Sequence, residues 1–368
     1  MAVDRGRAKY FHGRKEEIKK FKDLLTRSIK DKVGTTFLIQ GSPGVGKSAL
    51  KFELSKRAKN WHVIEIDPTA LYDLKDFRDS LGLENWFEFW KNEVLHLKRS
   101  VSIVNVDLKI PLTRHTFRKS LNEIKKPTLI VLDEAQRLKE EVKDVSEKKT
   151  IRDVLNNIHN LETENGFVFL IVGLGTTQDI LKEFQISRFA KNTLVNLECL
   201  DEKSEREILK QYMIKEGGAN ENDPKLNPWI DEIVNHTYGW AQHIISYGET
   251  TAEYLQRNNH LLSDKGLKEV LISGLELRHQ FYRYRLDGFR TSECQLLVDF
   301  LKANQELKSF SDEPIIHFFN QKYHNEEKSE QLFEKALERG LFHQNKNMRY
   351  VIPVPSMRTW LTEKLELY

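Results

Sequence analysis

The stretch Gly41-Ser42-Pro43-Gly44-Val45-Gly46-Lys47-Ser48 sets two glycines, a lysine and a hydroxyl at the spacing G-x-x-x-x-G-K-S. Glycines let a backbone curl until several N–H groups converge, which suits an anion carrying several charges. At this spacing Lys47 reaches the β and γ phosphates of a nucleotide, and Ser48 ligates Mg²⁺. Gly41 to Ser48, with Ala49 next along the chain, are therefore the expected ATP-binding residues. A second set of candidates closes the apolar run TLIVLDEAQ. There Asp133 is placed to hold Mg²⁺ opposite Ser48, and Glu134 to orient a water for attack on the γ phosphate. That pairing favours hydrolysis to ADP and phosphate over transfer to a small-molecule acceptor, and disfavours a kinase reading.

Two weaker features follow. FLIVGLGTT ends in hydroxyls, so Thr176 or Thr177 either senses the γ phosphate or serves ordinary turn chemistry. QISRFAKN offers Arg188, which either stabilises phosphoryl charge from a neighbouring subunit or is a surface residue.

These residues need a strand before the glycine loop and a helix after it, and the chain supplies both. TTFLIQ (35–40) precedes the loop, and SALKFELSKRAK follows with a helical pattern whose positive end faces the same anion. Further strands are expected at 62–67, 128–133, 167–173 and 194–200. Most are continuous apolar runs, as in parallel strands covered on both faces. Between the second and third strands, the aromatic NWFEFWKNEVLHL and the alternating SVSIVNVDLKI (100–110) form an insertion. It either packs its own apolar face or contacts a partner. Strand signals stop near residue 201, helical patterning runs to about 290, and composition changes again at DGFRTSE. The expected fold is α/β: a P-loop NTPase core with a parallel sheet (1–200), a helical lid (201–290) and a C-terminal winged helix (291–368).

With 368 residues the chain is long enough for two or three domains, and 31% charged against 39% hydrophobic residues suits a soluble one. No apolar run approaches a bilayer span, and MAVDRGRAKYFHGRKEE lacks a signal-peptide core. Cys199 and Cys294 are the only cysteines, which points to a reducing cytoplasm without a disulfide framework. A net charge of +3 is too small to argue for nucleic acid, so local clusters must carry that case.

The order of glycine loop, DEAQ strand, VGLGTT strand and SRF arginine resembles an AAA+ ATPase. It is most similar to the initiator-like group of origin-recognition and transposition-regulator ATPases and the related STAND signalling ATPases. The similarity in arrangement covers roughly residues 10–368, and only the two nucleotide motifs are individually strong. It implies an ATP-driven switch or assembly ATPase, acting as a homo-oligomer or on a partner protein, in a replication, mobile-element or anti-phage defence setting. The alternative is a DNA-binding initiator or transposition regulator gated by ATP. By the same resemblance, Gly13 and Arg14 in YFHGRKEEIKKF lie near the adenine. Such lids often carry G-x-x-R, whose arginine touches the γ phosphate. Here TYGWAQHII puts Gln242 at that position, followed by His243. Either these two replace the arginine as phosphate ligands or they pack and cap the lid helix.

Residues 293–368 read as three amphipathic helices, two extended arms around a polar turn and a closing helix begun by Pro355. The third helix is acidic, with Glu326, Glu327, Glu330, Glu334 and Glu338 against Lys328, Lys335 and Arg339, so it is a poor groove reader. The wing is more basic, through Lys346, Arg349 and the nearby Arg358. ELRHQFYRYRLDGFR is the better nucleic-acid candidate, with Arg278, Arg283, Arg285 and Arg290 interleaved with Tyr282 and Tyr284. A packed tyrosine face with solvated arginines reads the same residues equally well.

Overall fold

Five apolar runs become one parallel sheet in the computed structural model, which describes residues 8–66, 126–141, 152, 165–184, 193–345 and 349–364. The insertion between the second and third strands, Arg188 and Lys346 lie outside the described residues. The strands are β1 (Gly34–Gln40), β2 (His62–Ile66), β3 (Thr128–Leu132), β4 (Phe167–Gly173) and β5 (Leu194–Asn196). Their order across the sheet is β2-β3-β4-β1-β5, and every pairing is parallel. β3 and β4 are buried at every position, which is why TLIVL and FVFLIVG carry no polar alternation. β5 stops at Asn196 rather than continuing to 200: Leu197 N still bonds Gln40 O at 2.8 Å, but β1 has no further residue to pair with.

Helix α1 (Lys15–Asp31) buries Phe21, Leu24, Leu25 and Ser28, which recur at helical spacing. The Ser28 hydroxyl donates to Phe167 O at 3.0 Å and accepts from Phe167 N at 2.9 Å, pinning α1 to the start of β4. α2 (Lys47–Arg57) leaves the glycine loop, α3 (Arg137–Glu141) follows β3, and α4 (Thr177–Glu183) follows β4. Gln40, nearly buried, reaches Asn196 Oδ1 with its amide at 2.7 Å and accepts from Gln178 N at 3.0 Å. The carboxyl ends of β1, β4 and β5 are thereby held in one frame.

A helical section follows: α5 (Glu202–Gln211) with a π-helical turn to Glu216, α6 (Leu226–Thr237), α7 (Ala241–Arg257) and α8 (Asp264–Arg285). Asp201 caps α5 through Ser204 N, and Ser263 caps α8 through Gly266 N. The section has its own apolar centre around Trp229, Ile233, Tyr247 and Leu255. α9 (Thr291–Ala303), α10 (Asp312–Tyr323) and α11 (Glu326–Glu338) come next, with the antiparallel pair β6 (His343–Gln344) and β7 (Tyr350–Val351). This is the winged-helix order. α12 (Pro355–Thr359) runs into a final π-helical turn at Trp360–Lys364.

The apolar core does not divide where the composition changes. One continuous cluster links Phe37 and Val172 of the sheet, through Trp240 and Tyr282, to Phe300, Phe342 and Trp360 of the C-terminal unit. No described helix is long and apolar enough to cross a membrane.

Candidate functional site: a phosphate-loop cleft

Gly44 and Gly46 take φ of 82° and 100°, a left-handed backbone that a side chain would strain. This curls the loop between β1 and α2 around its own N–H groups. Lys47 is buried, and its ammonium donates to Gly41 O at 2.9 Å and Ser42 O at 3.1 Å. Burial pushes its pKa down to about 8; the Glu134 carboxylate opposes that shift, and the Arg285 cation adds to it. The buried Ser42 hydroxyl has no partner among the described residues. An unsatisfied donor inside a glycine cradle beside a desolvated ammonium is the donor set that phosphate oxygens require.

At the end of β3, Asp133 and Glu134 diverge. One Asp133 oxygen lies 2.8 Å from Lys51 Nζ, and the other accepts from Glu134 N at 3.0 Å. Lys51 stands one helical turn beyond Lys47 and also pairs with Glu65 of β2. Glu134 has φ of 52°, a strained value for a residue with a side chain, and it faces the cleft. The Gln136 side-chain amide donates to the Glu134 carboxylate through Nε2 and accepts from Leu174 N through Oε1 at 3.1 Å, linking the ends of β3 and β4. Ser48 and Asp133 are hard oxygen donors of the kind Mg²⁺ takes.

Pro43, Gly44, Gly46, Lys47, Ser48, Glu134 and Gln136 line a cleft of about 560 Å³ with Ala49, Leu174, Gln242, Phe281, Tyr284, Arg285, Glu338 and Arg339, whereas Asp133 and Ser42 stand outside its lining. That is the size range of small-molecule sites. α7 aims its N-terminus at the loop, and Gln242 N donates to Gly44 O at 2.9 Å. Arg285, at the end of α8, donates to Pro43 O and, at 2.6 Å, to Gly340 O of the C-terminal unit. Its guanidinium lies 4.5 Å from the Phe281 ring centre and 5.6 Å from that of Trp240. The C-terminal unit therefore forms part of the cleft wall.

Of Gly13 and Arg14, Arg14 meets the loop, and Gly13 packs on Ser204 and Leu200. Both take left-handed backbone, and Arg14 reaches Val45 O at 3.1 Å and Glu198 O at 2.7 Å. The loop is thus tied to the entry segment and to the residues beyond β5.

Several expected residues lie elsewhere. His243 is buried outside the cleft, with Nε2 3.2 Å from the Tyr282 hydroxyl. Burial, assisted by Arg278 and Arg285, pushes its pKa down to about 3, so it is neutral and cannot act as a cationic phosphate ligand. Of the lid pair, only Gln242 reaches the cleft. Thr176 lines a small cavity with Gly175 and His343 on the side of the C-terminal unit and is not part of the cleft lining. The basic run also breaks up. Arg285 is 2% exposed, Tyr282 is fully buried, and Arg278 is committed to His236 O at 2.6 Å. Arg283, Tyr284 and Arg290 remain exposed. In the wing region Arg349 holds Ser309 O at 2.9 Å, and Arg358 holds Asn304 O at 2.6 Å.

Sequence reasoning missed Lys51, Gln136 and the cleft role of Arg285. A signal existed for two of them. Lys51 lies four residues after Lys47, on the same helix face. Val270, Gly274, Arg278, Tyr282 and Arg285 recur at helical spacing, which puts Arg285 on the buried face of α8. For its bridge to Leu174 at the end of β4, Gln136 gave none, because that partner comes from a different strand.

The comparisons with known proteins agree with this geometry. Residues 32–181 match the family model described as AAA domain. Among solved structures, the chain is similar to the Aeropyrum pernix ORC2 protein in its ADPNP–ADP complexes. The TM-score there is 0.56 at 14% identity, covering 98% of this chain and 95% of that one. The ADP form of the same protein gives 0.53 at 12% identity, with the same coverage. Cdc6p from Pyrobaculum aerophilum gives 0.45 at 14% identity, covering 100% and 98%. No curated protein sequence matches the chain significantly. Its fold is accordingly the AAA-type P-loop fold, extended by a helical section and a C-terminal winged-helix arrangement.

Proposed function

We propose that the chain is an ATP-binding and ATP-hydrolysing switch whose state is read out by the C-terminal unit. One observation carries this reading: Lys47, Ser48 and Glu134 line one cleft, and its lining includes Glu338 and Arg339 of that unit. The ORC2 structure similar in fold was solved with ADPNP and ADP, which supports an adenine nucleotide as the ligand.

In this reading Lys47 leaves the Gly41 and Ser42 carbonyls for the phosphates, and the loop amides and the Ser42 hydroxyl complete the cradle. Ser48 and Asp133 would hold a magnesium ion, which would supply neutralisation of phosphate charge. Glu134 orients a water whose oxygen bonds the γ phosphorus as the bond to the bridging oxygen breaks, giving ADP and phosphate. Gln136 fixes the Glu134 carboxylate. Gly13 and Arg14 sit beside the base, and Arg188 of a neighbouring copy completes the site in an assembled form. The partner is a second copy or another protein. A nucleic-acid partner has less support, because Arg278 and Arg285 are committed elsewhere.

The test is turnover and binding in two variants. Lys47→Ala should lose ATP binding. Glu134→Gln should bind ATP and turn it over about a hundredfold more slowly, or slower still. Unchanged turnover in Glu134→Gln removes the water-orienting role, and tight ATP binding by Lys47→Ala removes the cleft assignment.

A further inference from the structure

His343 is 6% exposed, and neither of its ring nitrogens has a hydrogen-bond partner. The Thr176 hydroxyl oxygen is also buried and unpartnered. Both residues line a cavity of about 20 Å³ that Leu337 and Phe342 of the C-terminal unit help to close. That is room for one water or one nitrogen head group. Burial, with Lys47 adding, keeps the His343 ring neutral, so it presents one lone pair and one N–H. Two polar groups at such depth are costly unless a ligand or a water answers them.

This cavity shares Thr176, Asp179 and Leu337 with a larger one of about 180 Å³. To the larger cavity α4 brings Asp179 and Glu183, and α11 brings Glu334 and Glu338. Lys139 is the one basic residue among the described residues of its lining. It stands 3.6 Å from Glu334, Asp179 pairs with Lys182 at 2.7 Å, and Glu183 makes no ion pair among the described residues. The four acids are exposed, so their charge alone would hold a cation weakly. The buried floor adds what an acidic surface lacks, namely acceptors that an N–H donor of the right size can reach. The combined space is below the usual size of a small-molecule site and suits one group the size of a long side chain.

We propose that this slot between α4 and α11 binds a guanidinium group on a short chain, one nitrogen reaching His343 and Thr176 while the other N–H groups face the carboxylates. A guanidinium is planar and carries five N–H donors in a fork, so it can meet the floor and a carboxylate together. Its source is a free guanidino compound or an arginine side chain of a bound protein. Gln136 and Glu338 line both the slot and the phosphate-loop cleft, but no glycine-loop residue lines the slot. The proposal therefore stands apart from the nucleotide reading and is tested without nucleotide.

The experiment titrates the full chain at low salt with agmatine, with a short capped peptide carrying a central arginine, and with tetramethylammonium. Agmatine should bind with a dissociation constant of about 1 mM or tighter and should move the His343 ring resonances of a ¹⁵N-labelled chain. Tetramethylammonium has the charge but no N–H, and should bind at least about tenfold more weakly. Glu183→Gln combined with Glu334→Gln should weaken agmatine about tenfold. Glu330→Gln, which changes an exposed acid of α11 outside the lining, should leave it unaltered. His343→Phe should erase the preference for agmatine over tetramethylammonium, and Thr176→Val, which keeps the side-chain shape, should reduce it and decides the matter if the phenylalanine variant does not fold. A peptide that binds more tightly than agmatine assigns the slot to a protein partner, and a weaker one assigns it to a free guanidine. Binding of neither probe, equal binding of agmatine and tetramethylammonium, indifference to the paired acid substitutions, or a His343 ring that does not respond overturns the proposal and leaves a buried water as the partner of His343 and Thr176.

Discussion

The His343 ring packs directly on the backbone of Gly175: a Cβ added to Gly175 would lie 2.5 Å from Nδ1. Neither ring nitrogen has a hydrogen-bond partner. The first wing strand is thus pressed onto the loop that leaves β4.

This contact predicts an acid response. Burial, with Lys47 adding and Glu198 opposing, pushes the His343 pKa down to about 4 from an ordinary 6.5. The folded state holds the ring neutral, and the unfolded or undocked state takes up a proton below pH 6.5. Stability is therefore full above about pH 6.5 and falls as pH drops towards 4, by roughly 3 kcal/mol for this group. His343→Gln should flatten the slope of unfolding free energy against pH by about one proton in that window. An unchanged slope would show that the ring titrates normally.

Arg14 should matter more than its place near the N-terminus suggests. It holds Val45 O and Glu198 O from a mostly buried side chain, so Arg14→Ala removes a charged donor from both. Charged hydrogen bonds of this kind contribute about 1.5–3 kcal/mol each, and non-additivity reduces the pair. Chemical denaturation should show a loss of about 2–4 kcal/mol, and nucleotide affinity should fall because the loop is less ordered. A loss under about 0.5 kcal/mol, as for an ordinary surface change, would argue against this pinning role.

Lys51 competes for the carboxylate assigned to magnesium. Its pair with Asp133 is largely buried, so Lys51→Met should cost about 1.5–3 kcal/mol. The same change frees the carboxylate, and half-maximal turnover should need less Mg²⁺. A magnesium titration that shifts the other way would assign Lys51 a supporting role in ion binding.

Nucleic acid should bind weakly. With Arg278 and Arg285 committed, Arg283 and Arg290 are the remaining exposed arginines of the run. Two phosphate contacts give a slope of log affinity against log salt of about −2 on duplex. A gel-shift series with a slope several times steeper would require a basic surface elsewhere on the chain.

Much of the fold was legible because parallel strands buried on both faces announce themselves as unbroken apolar runs. TLIVL and FVFLIVG could be little else. The glycine loop and the two acids were legible for a related reason: their chemistry depends on local spacing. What could not be read was which distant surfaces meet. Arg285 was counted as charge when its place on the helix face mattered. His243 was placed by its offset from a motif, although the α7 face carrying it turns into Tyr282 and Phe281. The continuity of the core past residue 290 also has no local signature, since a composition change marks the chain and says nothing of what it packs against.

That shared core gives opening a cost and a direction. Leu341 and Phe342, buried beside Gly340, belong to the same apolar mass as Val172 and Trp240. Parting there wets hydrocarbon at about 25 cal/mol for each Å² uncovered, so a few hundred Å² outweigh several polar contacts. The released form is for that reason an adhesive one. Its lifetime in dilute solution should be short, and it should lengthen with protein concentration as a second chain arrives to cover what the first has bared.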